Sequence, residues 1–331
     1  MKKILFLVES LDNQTALNLV AAFNHTGHSV DVIPYYHNGI NQCVIEYGNH
    51  LPVLVYKSQH YPASDYDAAL LWCWGTAALG RKYLRLYEDQ GVTVVNSSYA
   101  TEITDSKALL SRRFEENGIP IPPTLYFDKG PSEAFTRLDA LGSPPYVFKA
   151  DYGTQGLAVR FASSIEHVRQ FADELNQQHP DNSGFIVQQF IGDAQRPIFH
   201  YRVLVVGDEV FPCVMKVTAN EPMAVSNIAA GAEVEIVPLI NEVKQLALRA
   251  TQVSGLKIAG VDLMVDYTDN HPHVVVLEVN DGPGTKTFDR EGYNASRAVI
   301  DYFIRSITAT IEYTVEPSVG VSELRVNNNH C

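Results

Sequence analysis

Two apolar stretches near the C-terminal end of the chain decide the fold: Ala259-Gly260-Val261-Asp262-Leu263-Met264-Val265-Asp266 and His273-Val274-Val275-Val276-Leu277-Glu278-Val279-Asn280. Both alternate as β-strands do, and the segment between them, 267–272, is rich in turn-forming residues. A hairpin centred near Asn270 places Asp262 directly opposite Glu278. Because side chains alternate along a strand, Asn280 shares a face with Glu278. The pattern therefore predicts that three oxygen-bearing side chains converge.

Two carboxylates that face each other across a strand pair repel one another, and a hard divalent cation removes the repulsion. Carboxylate and amide oxygens suit Mg²⁺, which keeps waters or substrate phosphates in its remaining coordination positions. A solvated acidic strand face is the alternative interpretation, because the neighbours Val261, Leu263 and Val279 are apolar in either case. The geometry alone leaves both interpretations open.

A second segment is typical of a strand, a glycine loop and another strand: Val147-Phe148-Lys149-Ala150-Asp151-Tyr152-Gly153-Thr154-Gln155-Gly156-Leu157-Ala158-Val159. Gly153 and Gly156 allow backbone N–H groups to approach an anion closely, and Lys149 at the strand end can meet a phosphate. The segment lacks the Gly-Lys-Ser/Thr of a Walker A loop. Taken alone, the segment is better explained by a hairpin turn beside an exposed lysine.

Cationic residues lie on two further predicted strands. Arg202 belongs to the stretch 201–206, and Lys216 ends the stretch 213–216. Gly207 and Asp208 between the stretches predict a tight hairpin that brings both strands together. Such cations can line a polyphosphate pocket, although each one taken alone is better explained as a surface charge.

The composition excludes several classes of function. The 331 residues contain 25 Lys and Arg against 38 Asp and Glu, a formal net charge of −13, which argues against a nucleic-acid or anionic-membrane surface. No apolar run approaches the roughly 20 residues of a membrane span, and the short apolar run after Met1 favours a buried strand over a signal peptide. The four cysteines lack metal-type spacing, which favours reduced thiols in a cytoplasmic protein.

Strands that alternate with helices at the N-terminal end predict a small parallel α/β unit. We expect Thr104 to cap a helix that runs to Asn117, with Asp105 in its first turn and Gly118 as its C′ residue. The strands expected in the N-terminal unit are Ile4–Val8, Val30–Pro34, Ala68–Trp74 and Val92–Asn96. The other expected helices are Gln14–Thr26, Thr76–Gln90, Glu242–Val253 and Ala298–Ile311.

The order of these segments resembles the ATP-grasp superfamily. The residues that carry the resemblance are Lys107, Lys149, Gln188-Gln189-Phe190-Ile191, Arg202, Lys216, Ser226-Asn227, Asp262 and Glu278-Val279-Asn280-Asp281-Gly282-Pro283-Gly284. The chain is most similar to the ribosomal S6 glutamate-ligase type, with glutathione synthetase and D-alanine–D-alanine ligase as relatives. Two departures are Ala230-Gly231, where the family often has Gly-Gly, and a longer loop between the metal strands.

The resemblance covers about residues 1–312 and implies an α/β fold, with α+β architecture in the ATP-grasp part. A pre-ATP-grasp parallel α/β domain is expected over residues 1–98. Two α+β subdomains that clasp ATP are expected over 99–187 and 188–315, and a tail over 316–331.

The resemblance also implies a role for each motif residue. Contacts to ATP are expected from Lys107 and Lys149 at the phosphates, from the flap residues Gly153, Thr154, Gln155 and Gly156, and from Gln189, Phe190 and Ile191 at the adenine hinge. His200 takes a position near the ribose where similar enzymes often carry an acidic residue. Arg202, Lys216 and Asn227 would surround the transferred phosphate. Asp262, Glu278 and Asn280 would hold Mg²⁺, or alternatively Mn²⁺.

The function that this resemblance implies is ATP-dependent ligation of a carboxylate to an amine through an acyl phosphate, with release of ADP and phosphate. The expected substrates are small-molecule carboxylates and amines, an amino acid or a peptide, with a protein tail as an open alternative. A cytoplasmic homo-oligomer with neither nucleic acid nor membrane as partner is expected. Two alternatives remain open, namely a thiol or hydroxyl acceptor and a nucleotide-binding module without catalysis.

Overall fold

The computed structural model describes residues 1–48, 51–128, 132–153, 159–179, 184–191, 199–217, 233–266 and 273–312. In chain order its strands and α-helices are β1 (Lys3–Val8), α1 (Gln14–Phe23), β2 (Ser29–Pro34), β3 (Tyr36–His37), β4 (Ile40–Asn41), β5 (Cys43–Glu46), β6 (Val53–Tyr56), β7 (Gln59–Tyr61), β8 (Ala68–Trp72), α2 (Ala77–Glu88), β9 (Thr93–Val95), α3 (Ser98–Asp105), α4 (Lys107–Glu116), β10 (Thr124–Asp128), β11 (Tyr146–Ala150), β12 (Val159–Ala162), α5 (Ile165–Gln178), β13 (Gly184–Gln189), β14 (Phe199–Val206), β15 (Glu209–Val210), β16 (Cys213–Val217), β17 (Glu233–Val237), α6 (Asn241–Ser254), β18 (Ile258–Asp266), β19 (His273–Asn280), α7 (Lys286–Arg290) and α8 (Ala295–Glu312).

The first sheet is parallel and has the strand order β2-β1-β8-β9, as the alternation of strands and helices predicted. Residues 4–8 of β1 are fully buried, because the strand is covered on both faces. Asn13 caps α1 by accepting a hydrogen bond from the backbone N–H of Thr15 at 2.8 Å. The helices predicted around this sheet are confirmed as α1 and α2, and each is three residues shorter than expected.

A group of short strands between β2 and β8 was not predicted. The strands β3 and β4 form one hairpin, and β5, β6 and β7 form a three-stranded antiparallel sheet. This unit packs on the first sheet through Tyr83 of α2, whose hydroxyl donates to Asn41 Oδ1 at 2.8 Å and to the carbonyl of Cys43 at 3.1 Å. The strands have two to four residues each, too few for a clear alternation of apolar and polar positions.

The single helix expected up to Asn117 was wrong, because two helices, α3 and α4, occupy this region. Thr104 lies inside α3, where its hydroxyl bonds the carbonyl of Ala100, and Asp105 is the last residue of that helix. The residue that caps α4 is Ser106, whose hydroxyl accepts from the backbone N–H of Leu109 at 3.1 Å. Gly118 follows the C-cap with a φ of 63°, which confirms its predicted place.

The second sheet is antiparallel, with the order β10-β13-β11-β12, and α5 packs against it. Its core is rich in phenylalanine: the rings of Phe148 and Phe185 stack with centroids 4.7 Å apart, and those of Phe127 and Phe185 with centroids 5.1 Å apart. This sheet carries Lys149 near the end of β11, so its packing fixes one wall of the candidate site.

The third sheet has the order β17-β16-β14-β18-β19, and β15 pairs with the end of β14 as the Gly207-Asp208 hairpin predicted. The apolar stripe of α6 covers one face through residues such as Val243 and Ala250. The other face packs on α7 and α8, and through α8 it joins the core of the first sheet, where Phe23 and Phe303 meet edge to face. Within the described part of the chain, every helix falls short of the length or apolarity that crossing a membrane requires.

Candidate active site

Asp262 and Glu278 lie directly opposite each other on β18 and β19, so the predicted register is confirmed. The neighbouring pair is Gly260 and Asn280, which puts Asn280 one step further along the same face. Beyond Asp262 the register shifts by one residue, and Leu263 pairs with Val276. Irregularities of this kind increase the local twist and re-aim side chains next to binding sites.

Arg202 on β14 is the register partner of Asp262 on its other side, and the two form an ion pair. The Arg202 Nε donates to Asp262 Oδ1 at 2.6 Å, and its Nη2 donates to Oδ2 of the same carboxylate. The attraction of Asp262 holds the pKa of the Arg202 guanidinium above its ordinary value. Asn280 Nδ2 lies 3.4 Å from the same Oδ2, so Asp262 is the centre of the cluster.

Lys149 brings the second sheet into this cluster. Burial of its ammonium lowers the pKa of Lys149 to about 8, against the attraction of the Glu278 and Asp262 carboxylates. The charge of Lys107 lowers the same pKa further. Lys149 of the second sheet therefore interacts with two carboxylates of the third sheet and with Lys107 of α4, so the structure brings these four predicted residues near one another.

Hydrogen bonds that the sequence pattern did not reveal fix the position of α4 relative to the loop after β11. The buried carboxylate of Asp151 accepts hydrogen bonds from Ser106 Oγ at 2.8 Å and from the backbone N–H of Ala108 at 2.9 Å. Lys107 Nζ donates to the carbonyl of Gly153 at 2.7 Å, and Gly153 has a φ of 133° that favours glycine. The start of α4 is thus tied to the start of the glycine loop.

The predicted adenine-hinge residues lie at the end of β13 and just beyond it. The backbone N–H of Gln189 donates to the carbonyl of Pro123 at 2.9 Å, and that of Phe190 to the carbonyl of Pro145 at 3.3 Å. Ile191 follows directly and is half-buried. On the opposite sheet, His200 of β14 is half-buried and pairs in register with Lys216 of β16.

Some predicted site residues lie outside the described part of the chain, namely Thr154, Gln155, Gly156 and Asn227. The backbone of Lys216 is described, but its side chain is not. The strands on either side of the glycine loop, β11 and β12, pair with each other as expected, with Lys149 opposite Val159.

Two buried acidic groups for which the sequence predicted no place in the site lie close to β18 and β19. Asp281 follows Asn280 directly, and burial together with the charge of Asp105 raises the pKa of Asp281 to about 7. Asp105 pairs with Arg81 of α2 at 3.1 Å, and both side chains are largely buried. These groups come from distant segments, so no local spacing marks them.

The donor set on β18 and β19 fits a hard divalent cation. Among the described residues, no three His, Cys, Asp or Glu side chains gather as a metal cluster. Two facing carboxylates and one amide remain, which is a set that suits Mg²⁺ when substrate phosphates supply further oxygens. The residues that would hold the ion are Asp262, Glu278 and Asn280.

Comparison with known proteins connects this geometry to one family. The RimK-like ATP-grasp domain matches residues 101–303. The probable alpha-L-glutamate ligase of Haemophilus influenzae is 28% identical over 308 residues, which cover 91% of this chain and 96% of that relative. The probable alpha-L-glutamate ligase 2 of Shewanella frigidimarina is 33% identical over 212 residues, covering 64% of this chain and 67% of that protein.

Solved structures share the fold at low sequence identity. The D-alanine–D-alanine ligase of Bacillus anthracis complexed with ATP has a TM-score of 0.67 at 17% identity, covering 95% of this chain and 100% of that chain. The RimK domain ATP-grasp protein of Sphaerobacter thermophilus has a TM-score of 0.64 at 18% identity, covering 91% of this chain and 98% of that chain. Because the family match spans more than half of the 331 residues, the chain belongs to the RimK-like ATP-grasp family and is an ATP-dependent carboxylate–amine ligase.

Proposed function

We propose that ATP binds in the cleft between the second and third sheets, with its phosphates at the cluster of Lys149, Asp262 and Glu278. The observation that carries this proposal is the meeting of Lys149 from one sheet with the opposed carboxylates of the other. Lysines attract the phosphates as point charges, whereas the carboxylates repel them unless a cation intervenes. Mg²⁺, when bound by Asp262, Glu278 and Asn280, would supply neutralisation of the phosphate charge.

The protein's own residues would then hold the reactants in line. Lys149 and Lys107 would grip the phosphates from one side, and Arg202 would present its guanidinium to the transferred phosphoryl group from the other. The ion pair with Asp262 fixes the orientation of that guanidinium before substrates arrive. Phosphoryl transfer needs positioning and charge neutralisation more than covalent help, which is what such an arrangement offers.

In the proposed reaction, a carboxylate oxygen of the acid substrate attacks the γ-phosphorus of ATP. The bond from that phosphorus to the bridging oxygen breaks, and ADP leaves. The nitrogen of the amine substrate next attacks the acyl carbon, the bond from that carbon to the phosphate oxygen breaks, and phosphate leaves. Loss of one proton from the nitrogen completes the amide.

We also propose that an amino acid is one of the substrates and an amino acid or peptide the other. The names of the relatives from Haemophilus influenzae and Shewanella frigidimarina, probable alpha-L-glutamate ligases, support this substrate class. The cytoplasm is the proposed location, because a ligase of this kind needs a supply of ATP and because Cys43 and Cys73 are buried free thiols.

The reaction is tested with an acid substrate labelled with ¹⁸O in its carboxylate, after a phosphate-release screen over amino acids and dipeptides has identified that substrate. The expected products are ADP and phosphate that carries one labelled oxygen. Mass spectrometry of the organic product identifies the bond formed. AMP together with unlabelled phosphate would mean that the carboxylate is activated by adenylation. A thioester or ester product would mean that the acceptor is a thiol or a hydroxyl group instead of an amine.

A further inference from the structure

The carboxyl ends of β1 and β8 lie where the strand order of the first sheet reverses. In the order β2-β1-β8-β9, the chain leaves β1 toward β2 on one side and later leaves β8 toward β9 on the other. The helices that follow these two strands, α1 and α2, accordingly pack on opposite faces of the sheet. Open parallel sheets bind ligands at such a point, in the crevice outside the carboxyl ends of the strands.

Glu9, the residue after β1, lies at this point. Its backbone N–H donates to the carbonyl of Trp72 in β8 at 2.9 Å, and its carbonyl accepts from the N–H of Tyr36 at 2.9 Å, on the side of β2. Its carboxylate Oε2 accepts from the backbone N–H groups of Trp74 at 2.6 Å and Gly75 at 2.8 Å, just ahead of α2. The half-buried carboxylate is therefore oriented before a ligand binds.

The second oxygen of this carboxylate is accessible to a ligand. Every hydrogen bond that the described residues donate to the side chain of Glu9 ends at Oε2. The exposed residue Gly75 lies beside Oε1, because a Cβ added to Gly75 would be 3.3 Å from that oxygen. A side chain at position 75 would crowd Oε1, whereas glycine leaves room there for a group of the ligand.

The loop that follows the predicted metal ligand Asn280 packs against the same end of β8. A Cβ added to Gly282 would lie 2.3 Å from the carbonyl oxygen of Cys73, the residue after β8, so only glycine fits without a shift of the backbone. Burial raises the pKa of the Cys73 thiol, and the charges of Asp281 and Glu9 raise it further, so both carboxylates lie near this thiol. Because successive Cα atoms are 3.8 Å apart, the path from Asn280 through these contacts to Glu9 is at most roughly 16 Å long.

The charges around the crevice favour a cationic ligand. Arg81 of α2 forms an ion pair with Asp105 at 3.1 Å. Within the part of the chain that the structure describes, neither Glu9 nor Asp281 forms an ion pair. Two carboxylates are therefore left uncompensated on either side of Cys73, and together they attract a positive charge.

We propose that Glu9 binds the ammonium group of the acid substrate, so that the enzyme selects an amino acid or short peptide whose amino group is free. The ammonium would donate to Oε1 of Glu9 while the reacting carboxylate lies beside Arg202. The straight distance is shorter than the path through the contacts, and chains of up to about four residues, at 3.3–3.6 Å per residue, cover it. An ammonium held by a carboxylate keeps its proton and is no nucleophile, so it does not take the place of the amine substrate. The proposal rests on the proposed ligase reaction and names the class of its acid substrate.

The test measures the binding of two pairs of acids to the full-length protein by calorimetry in the presence of AMPPNP and Mg²⁺. L-Glutamate is paired with glutarate, and L-alanyl-glycine with propionyl-glycine, so that the members of each pair differ only in the ammonium group. In at least one pair the ammonium form should bind about 10- to 100-fold more tightly, the size of a hydrogen bond between charged groups. Glu9→Gln should reduce this preference to less than about threefold by weakening the binding of the ammonium form alone.

Glu9→Gln removes the charge and keeps the loop in place, because the amide oxygen of glutamine still accepts from Trp74 and Gly75. Its melting temperature should therefore stay within about 2 °C of that of the unmodified protein. Glu88→Gln is the matched control. The carboxylate of Glu88 also accepts from a backbone N–H, that of Ser98 at 3.0 Å, but it lies at the opposite end of α2, so the preference should not change.

Equal affinities within both pairs, absence of binding included, or a preference that survives in Glu9→Gln would overturn the proposal. Turnover separates this inference from the proposed function, because an acyl phosphate reacts with hydroxylamine to give a hydroxamate and phosphate after ADP has left. Absence of hydroxamate and ADP with every acid would count against the ligase reaction. Their formation without a preference for the ammonium form counts against the role of Glu9 alone.

Discussion

Asp262 is in contact with more of the candidate site than any other single carboxylate described above. It faces Glu278 across one strand pair and Arg202 across the other, and it lies 3.4 Å from Asn280 Nδ2. Glu278 has the same predicted role at the metal, but among the described residues no arginine forms such a bidentate pair with it. The two carboxylates should therefore respond differently to substitution, although both would hold the same ion.

Glu278→Gln should reduce turnover at least about 100-fold, because loss of a metal ligand removes several kcal/mol of transition-state stabilisation. Its melting temperature without nucleotide should stay within about 2 °C of the unmodified protein, since one of two facing carboxylates is neutralised. Asp262→Asn should lose activity equally but also unfold more easily, by about 1–3 kcal/mol, because Arg202 loses its charged partner. Phosphate release and thermal melts measure both effects, and equal melting temperatures for the two variants would contradict the distinction.

Lys149 should make the stability of the nucleotide-free protein depend on pH. Its folded pKa is lowered to about 8 from the ordinary 10.5, chiefly by burial, so folding disfavours its charged form. A lowered pKa means that the stability contribution is complete above the unfolded value and is lost as the pH falls through the folded value. In EDTA, Lys149→Met should therefore be more stable than the unmodified protein by about 1–3 kcal/mol at pH 7, and the gain should vanish near pH 10.5.

Denaturant melts at several pH values measure this difference. Lys244→Met, on the exposed face of α6, is the control for loss of a lysine charge. A gain in stability that is the same at pH 7 and pH 10.5 would show that burial does not disfavour the charged form of Lys149.

The start of α4 is the element whose position depends most on a distant residue. Its first turn is fixed by Ser106 and by the carboxylate of Asp151, which comes from the loop after β11. This contact sets the place of Lys107, the first residue of the helix, whose ammonium reaches the carbonyl of Gly153.

Asp151→Ala should lower the free energy of unfolding by about 1–3 kcal/mol, because the hydroxyl of Ser106 and the N–H of Ala108 lose a buried acceptor. It should also raise the KM for ATP more than it lowers kcat, since a displaced Lys107 weakens phosphate binding in ground and transition states alike. Steady-state kinetics and melts measure the two changes. Asp173→Ala on α5 is the control. An unchanged KM for ATP in Asp151→Ala would show that the position of Lys107 does not affect nucleotide binding.

The elements that alternate strongly were predictable, whereas those that depend on distant contacts were not. The hairpin of β18 and β19 was placed in its register because the apolar alternation and the turn residues agree. The break between α3 and α4 was missed because no Gly or Pro marks it; Ser106 caps the second helix with help from Asp151, which is remote in sequence. The strands from Tyr36 to Tyr61 were missed because each is too short to show a period.

At the scale of the whole molecule, the N-terminal sheet and the third sheet share one core. Phe23 of α1 meets Phe303 of α8 with ring centroids 6.1 Å apart, and both rings are buried. Asn18 of α1 also donates to Asp289 of α7 at 2.9 Å. The sequence predicts α1 and α8 as separate helices. The apolar pattern of each helix shows which face is buried, but it does not show that the two faces pack on each other.

Phe303→Ala should destabilise both sheets together, by about 3–5 kcal/mol, because it leaves a cavity in their common core. The variant should show one unfolding transition, shifted to the same extent whether it is followed by far-ultraviolet circular dichroism or by the fluorescence of Trp72, at the end of β8, and Trp74, just beyond it. Tyr293→Ala is a control at an exposed aromatic residue. Two separate transitions in the variant would contradict the shared core.

The side chain of Asn96, which follows β9 of the N-terminal sheet, forms hydrogen bonds with the backbone at the start of β18 in the third sheet. Its Nδ2 donates to the carbonyl of Ile258 at 2.8 Å, and its Oδ1 accepts from the backbone N–H groups of Lys257 and Ile258 at 2.7 and 3.0 Å. Deamidation, the slow chemical ageing of asparagine, requires the amide carbon to be attacked by the next backbone nitrogen, that of Ser97. While these bonds persist the amide is held away from that nitrogen, so an aspartate at position 96 in stored protein would record how often the two sheets have come apart.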